Sequence, residues 1–210
     1  SIALFLDTVC RFKGDTTRVV VVELAQYLET LSDQMVAPEE RSLFRAFVAD
    51  LMTPVWKLFG WDAARDDNDE IRLARAAALW ALGSLAEDED ILAELPRRKT
   101  RYDAIPTSLD PTLATPLIRL CARFDGGSLF DPFAQKYQTA GTPEERDRYL
   151  TALADFNKPA LAIKLLEMTL SPVIRSQDVW KPVRSLLGCP RVQEVTWGFI
   201  KTHWRDLRDK

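Results

Sequence analysis

One histidine, three cysteines and eight glycines in 210 residues leave little material for a metal centre, a disulfide framework or a phosphate loop. A catalytic zinc takes about three protein ligands, usually with two histidines among them. His203 stands alone, and the sequence contains no His-Glu-x-x-His. Cys10, Cys121 and Cys189 are odd in number and widely spaced. That pattern predicts free, partly buried thiols in a reducing, cytoplasmic setting. Gly126-Gly127 lacks the Lys-Ser/Thr that a nucleotide loop requires. No apolar stretch approaches about 18 residues, so no membrane span is expected within this segment. A basic surplus is missing as well: 28 Lys and Arg stand against 31 Asp and Glu, with a pI of 5.4. Nucleic acid is therefore not an expected partner, and a DNA-glycosylase-like helical fold is disfavoured. Ser1-Ile2-Ala3-Leu4 opens directly into an amphipathic pattern without a basic leader. It reads as the cut edge of a longer polypeptide.

What is present is helical periodicity along almost the whole chain. Leu43, Phe44, Phe47, Val48, Leu51, Val55 and Leu58 draw one apolar stripe, and Pro54 within it predicts a kink or break one turn earlier. Ile71, Ala74, Ala78, Leu82 and Leu85 draw a second stripe. Leu161, Leu165 and Met168, flanked by Ala162 and Leu166, draw a third. The valines at 19–22 have strand character, but Val20, Leu24, Tyr27, Leu28 and Leu31 continue at helical spacing. Thr142-Pro143-Glu144-Glu145 has the form of a capping box with proline at the first helical position. The expected result is all-α, with about ten helices of 10–20 residues stacked as antiparallel neighbours. No strict 34- or 40-residue repeat appears, so an irregular HEAT- or armadillo-like α-solenoid is expected rather than a tetratricopeptide or ankyrin array. Residues 1–210 read as a single helical-repeat domain. The charged, proline-bearing stretch 97–111 reads as its one long loop and a possible seam.

Chemistry-bearing patterns are few. Asp66-Asp67-Asn68-Asp69-Glu70 looks like the start of a calcium loop, but the sixth position is Ile71 instead of glycine and the twelfth is Ala77 instead of glutamate. These acids suit the first turn of the following helix, where the dipole favours negative charge. Glu87-Asp88-Glu89-Asp90, followed by Arg97-Arg98-Lys99 and Arg101, reads as solvated helix ends. No carboxylate pair, nucleophile or imidazole falls into a recognisable catalytic constellation.

Four segments carry a resemblance. Leu170-Ser171-Pro172-Val173-Ile174-Arg175-Ser176-Gln177-Asp178 is similar to the Leu…Ile-Arg-x-Gln-Asp stretch of the aminopeptidase N and puromycin-sensitive aminopeptidase family of zinc metallopeptidases. Trp197-Gly198-Phe199 and Trp204-Arg205-Asp206-Leu207 resemble that family's Trp-rich helix. Upstream, Pro54, Leu58, Gly60 and Trp61 resemble its Pro…Leu-Gly-Trp segment. Gly141 to Leu153, with Glu144, Tyr149 and Leu150, resembles a further helix. The four occur in the family's order over residues 40–208.

The resemblance implies a larger parent enzyme, a zinc metalloaminopeptidase removing N-terminal residues from peptides. This chain would be its non-catalytic, HEAT-like C-terminal domain, packed on the catalytic domain and enclosing the chamber around the active site. It implies no catalytic, cofactor-binding or metal-ligating residue here, because the zinc lies in the catalytic domain of the parent. Helices that follow the Trp-rich helix in the family would be missing, leaving the superhelix incomplete at its C-terminal end. Arg175 is the one candidate to contact peptide, through a bidentate bond to a carboxylate. A pairing of Arg175 with Asp178 on the same helix competes with that role. Trp197, Phe199 and Trp204 are expected in the core, and His203 at the surface. The alternative function is a stand-alone helical-repeat scaffold binding a protein partner.

Overall fold

Twelve α-helices and no strand occupy the described residues, 2–64 and 66–210, of the computed structural model. By Cα proximity the chain falls into two compact units, residues 1–117 and 118–210, and α6 (Pro111–Phe124) runs through the division.

The first unit contains α1 (Ile2–Cys10), α2 (Arg18–Gln34), α3 (Arg41–Phe59), α4 (Asp69–Ala81) and α5 (Glu89–Ala104). Its centre is α4, which packs on both α2 and α3. Most of the predicted α4 stripe is buried: Ala74, Ala78, Leu82 and Leu85 are 4% exposed or less, and Ile71 at its start is half-buried. Asn68 caps this helix by accepting from the Ile71 N–H at 3.0 Å. Asp69 and Glu70 fill its first turn. A π-helical turn, Leu82–Ala86, extends α4 and ends at Glu87 in the left-handed region. Asp88 then starts α5, accepting from the Ile91 N–H at 3.0 Å.

The four-valine run lies in α2, as its helical spacing predicts, but the buried face is turned from the expected one. Val21, Leu24, Ala25 and Leu28 are inside, whereas Tyr27 stands outside with its ring 6.1 Å from that of Phe5. The helix break expected at Pro54 does not occur. Helix α3 continues unbroken through Pro54, because the adjoining turn already buries Val48, Leu51, Met52 and Val55. That packing outweighs one lost backbone hydrogen bond, which would have been accepted by a carbonyl on the exposed side at Asp50. The stretch 97–111 is likewise not one long loop. Helix α5 passes through Pro96 and reaches Ala104. Its charges are helical pairs: Arg97 and Arg98 bond to Glu94, and Lys99 bonds to Asp103.

The second unit holds the remainder of α6, then α7 (Phe130–Thr139), α8 (Pro143–Ala154), α9 (Pro159–Leu170), α10 (Trp180–Gly188), α11 (Gln193–Thr202) and α12 (Trp204–Asp209). Helices α7 and α8 pack closely, as do α8 with α10, α10 with α11, and α9 with α11. An aromatic cluster fills the α7–α8 contact, where Phe133 lies edge-on to Tyr149 at 5.3 Å and to Phe156 at 5.9 Å. The third predicted stripe holds in part, with Leu165 and its flanking Ala162 and Leu166 buried and Leu161 and Met168 half-buried. Asp155, just past α8, receives a bidentate pair from Arg119 of α6 at 2.6 and 3.1 Å. Gly127 turns into α7 at φ +112°, and a Cβ there would lie 3.1 Å from the Leu161 side chain, so the turn requires glycine.

The capping box at α8 forms with a one-residue difference. Thr142 Oγ1 accepts from the Glu145 N–H at 3.1 Å, while the Glu145 carboxylate accepts from the Gly141 N–H at 3.1 Å. Thr142→Ala is expected to cost about 1 kcal/mol in urea unfolding. An unchanged unfolding midpoint would show that this cap contributes nothing.

Candidate functional site

Arg175 lies in the second unit, at the start of the 3-10 turn Ser176–Asp178 between α9 and α10. Its backbone is anchored by Ile174, which is fully buried. The Arg175 Nε and Nη2 meet Asp178 Oδ2 at 2.9 and 2.8 Å. The competing intrachain pair therefore exists, although on a 3-10 turn and not on an α-helix. Asp178 is buried and has a second cation, Lys181 Nζ, 3.3 Å from its other oxygen. Lys181 also bonds to Asp147 of α8, which with Asp178 raises its pKa above the ordinary lysine value.

Two adjoining clefts meet at this arginine. The larger, about 330 Å³, is polar and includes Asp147, Gln177, Asp178 and Lys181 in its wall. The smaller, about 260 Å³, is lined by Tyr137, Gln138, Arg146, Val173 and Arg175. Tyr137, Arg146 and Arg175 belong to both. Tyr137 is 1% exposed, and its hydroxyl has no hydrogen-bond partner among the described residues. Burial pushes the phenol pKa up and the Asp178 charge adds to the rise, while the Arg175 and Arg146 charges and the Arg175 backbone N–H oppose it. The group is therefore a protonated hydroxyl at neutral pH, available as a donor. Tyr137, Arg146 and Lys181 lie outside the motifs that single out Arg175. Their convergence depends on the α7–α8–α10 packing and leaves no local signature in the sequence.

The other candidates have structural surroundings. Asp67 accepts from the Ala64 N–H at 2.8 Å and pairs with Arg75. His203 lies between α11 and α12, with its ring 4.3 Å from that of Phe199 and Nδ1 3.4 Å from Asp206 Oδ2. The expectation that the tryptophans are core is wrong: Trp197 is 53% and Trp204 59% exposed. The buried edge of α11 is Val192, Thr196 and Ile200, one turn apart, and Trp197 projects away from it. Cys10, Cys121 and Cys189 form no disulfide among the described residues. Cys10 is exposed, and Cys189 Sγ donates to Asn157 Oδ1 at 3.2 Å. Among the described residues no three His, Cys, Asp or Glu side chains converge as a metal ion would need. No helix among them is long and apolar enough to cross a membrane.

The family model of the ERAP1-like C-terminal domain matches residues 1–210, the whole chain. The chain belongs to that family. Among similar curated proteins is Aminopeptidase M1-A of Oryza sativa subsp. japonica, 22% identical over 214 residues, covering 97% of this chain and 24% of the relative. Aminopeptidase Ey of Gallus gallus is 21% identical over 220 residues, covering 99% of this chain and 22% of the relative. Probable aminopeptidase 2 of Sulfurisphaera tokodaii is 24% identical over 155 residues, covering 73% of this chain and 19% of the relative. This ERAP1-like domain thus spans about a quarter or less of the length of these relatives. It is all-α and is similar to the C-terminal portion of aminopeptidases, in agreement with the ordered motifs between Pro54 and Leu207.

Proposed function

We propose that this chain is the non-catalytic C-terminal domain of a zinc metalloaminopeptidase, enclosing the active-site chamber of its parent and helping peptide to enter and bind. The observation that supports the reading best is the match of one C-terminal-domain family to all of residues 1–210, together with relatives that are aminopeptidases several times longer. Residues 1–210 act as a single domain that packs on the catalytic domain. Zinc and the groups that bind the substrate amine belong to that catalytic domain, and Arg175 contributes to peptide contact from the cleft in the second unit. The absence of a disulfide among the described residues fits the cytoplasmic, reducing setting proposed for this chain.

The purified chain is expected to show no hydrolysis of aminoacyl anilides and no stoichiometric zinc by elemental analysis. Turnover that survives removal of contaminating peptidases would overturn the non-catalytic assignment. In the genomic reading frame, a His-Glu-x-x-His upstream of Ser1, followed about twenty residues later by a glutamate, is the expected mark of the parent. A start codon immediately before Ser1 would favour the scaffold reading instead.

A further inference from the structure

We propose that the smaller cleft of the second unit is an oxyanion site, in which the Tyr137 hydroxyl and the guanidiniums of Arg146 and Arg175 bind a carboxylate or phosphate group. The wall of this cleft carries two permanent cations, an amide and a valine, and no carboxylate. The acidic residues nearby line the adjoining larger cleft, where Asp178 is held by both Arg175 and Lys181, and Asp147 by Lys181. Asp178 and Asp147 are thus paired, whereas Glu144, in the same wall, makes no ion pair among the described residues.

The buried Tyr137 hydroxyl is the independent mark of a ligand. A polar group excluded from water without a partner destabilises the fold, and most such groups in folded proteins are paired. This one is 1% exposed and opens onto the cleft; the Arg175 backbone N–H faces its oxygen, but no acceptor stands within hydrogen-bond distance of its proton among the described residues. Because burial keeps it protonated, what it lacks is an acceptor. Arg146 of α8 supplies a partly exposed guanidinium with no carboxylate within ion-pair distance among the described residues. Arg175 bonds to Asp178 through Nε and Nη2, and its remaining Nη1 donors are not used by that bond. A hydroxyl donor and two guanidinium forks facing one small space suit the oxygens of an anion. The volume of about 260 Å³ leaves room for acetate or inorganic phosphate with several waters, each water taking about 30 Å³. The inference rests on the peptide-contact role proposed for Arg175; its failure would remove that contact but leave the aminopeptidase assignment, which rests on the family match, standing.

The test is a titration of the ¹⁵N-labelled 210-residue chain with inorganic phosphate and, separately, with acetate, at constant ionic strength. Saturable amide shifts confined to the neighbourhood of Gln138, Arg146, Val173 and Arg175 are expected. Tighter binding of phosphate would identify a tetrahedral dianion as the preferred ligand, and comparable or tighter binding of acetate a planar carboxylate. Arg146→Gln is expected to weaken binding by about ten-fold. Tyr137→Phe, which keeps the ring and removes only the unpartnered hydroxyl, is expected to weaken it several-fold without lowering the melting temperature. Arg191→Gln, at an exposed arginine outside the cleft, is expected to change nothing. Linear, unsaturating shifts with both anions would overturn the site, and so would equal affinity in the wild type, Arg146→Gln and Tyr137→Phe.

Discussion

Arg75→Ala is expected to destabilise the chain by about 3–5 kcal/mol, a large part of the roughly 5–15 kcal/mol that holds a typical domain folded. Arg75 is 1% exposed on α4, the helix at the centre of the first unit. Its Nη2 pairs with Asp67, whose side chain is 8% exposed. Its Nε donates to the Phe59 carbonyl at 3.2 Å, at the C-terminal end of α3, where helix carbonyls lack partners and a cation is favoured. Removing the guanidinium leaves a sequestered carboxylate and an orphan carbonyl, which costs more than the pair itself contributed. Arg75 Nη1 has no partner even in the intact protein, so the site is not an optimised one. For that reason Arg75→Met combined with Asp67→Leu is expected to recover part of the loss, since apolar packing can substitute for a buried pair.

The same pair sets an acid dependence. The hydrogen bond from Arg75 holds the Asp67 carboxyl below its ordinary value of 3.8. A folded-state pKa below the unfolded one contributes stability above the unfolded value, and that stability is lost as pH falls through the folded value. The wild type is therefore expected to lose stability below about pH 4 more steeply than Asp67→Asn. Urea denaturation at neutral and acid pH measures both effects. An Arg75→Ala chain within about 1 kcal/mol of wild type at neutral pH would show that the pair is an ordinary surface contact.

Residue identity already shows why this fold is helical and where several helices start. Apolar positions at helical spacing predict the α4 stripe through Ala74 and Ala78, and that of α9 through Leu165 and Leu166, and those four residues are buried. Thr142 is legible as a cap because it acts within three positions of itself, and Asn68 and Asp88, which stand in acidic runs, cap their helices over the same distance. Pro54 misleads because a local rule omits tertiary packing. A proline removes one hydrogen bond, while the turn around Pro54 buries Val55. The tryptophans mislead differently. Size and hydrophobicity place Trp197 in the core, yet the inward face of α11 is fixed by Val192, Thr196 and Ile200, and only the position of the neighbouring helices decides which face that is.

The candidate site divides along the same line. Arg175 is legible through its motif, and so is its pairing with Asp178 three residues later. Tyr137 and Arg146 are not, because no short-range pattern links a tyrosine near the end of α7 to an arginine on the first turns of α8. The three-residue turn Ala140–Thr142 brings them to one cleft only once the Phe133–Tyr149 contact has set how the two helices pack.

That contact gives the other large expected effect: Phe133→Ala is expected to destabilise the chain by about 3–5 kcal/mol. Phe133 is 2% exposed and touches two rings edge-on, Tyr149 at 5.3 Å and Phe156 at 5.9 Å. Truncation removes its transfer free energy and leaves a cavity, because Phe130 is already committed to Phe156 at 5.4 Å and cannot fill the space without leaving that contact. Each edge-on pair adds about 0.5–1.5 kcal/mol beyond area burial. Phe133→Leu, which keeps most of the volume, is expected to cost less than half as much. In urea the midpoint should fall while the slope stays unchanged, since the surface exposed on unfolding is nearly the same. Tyr137 sits one turn beyond Phe133 on the same buried face of α7, so Phe133→Ala should also loosen the hydroxyl from the cleft and broaden the amide signals of Tyr137 and Arg146. Phe133→Ala at wild-type stability would mean that the ring cluster is not what holds α7 to α8. A large stability loss with sharp, unshifted Tyr137 and Arg146 signals would mean that the cleft is positioned by another contact, leaving the Asp178 network with Arg175 and Lys181 to hold it.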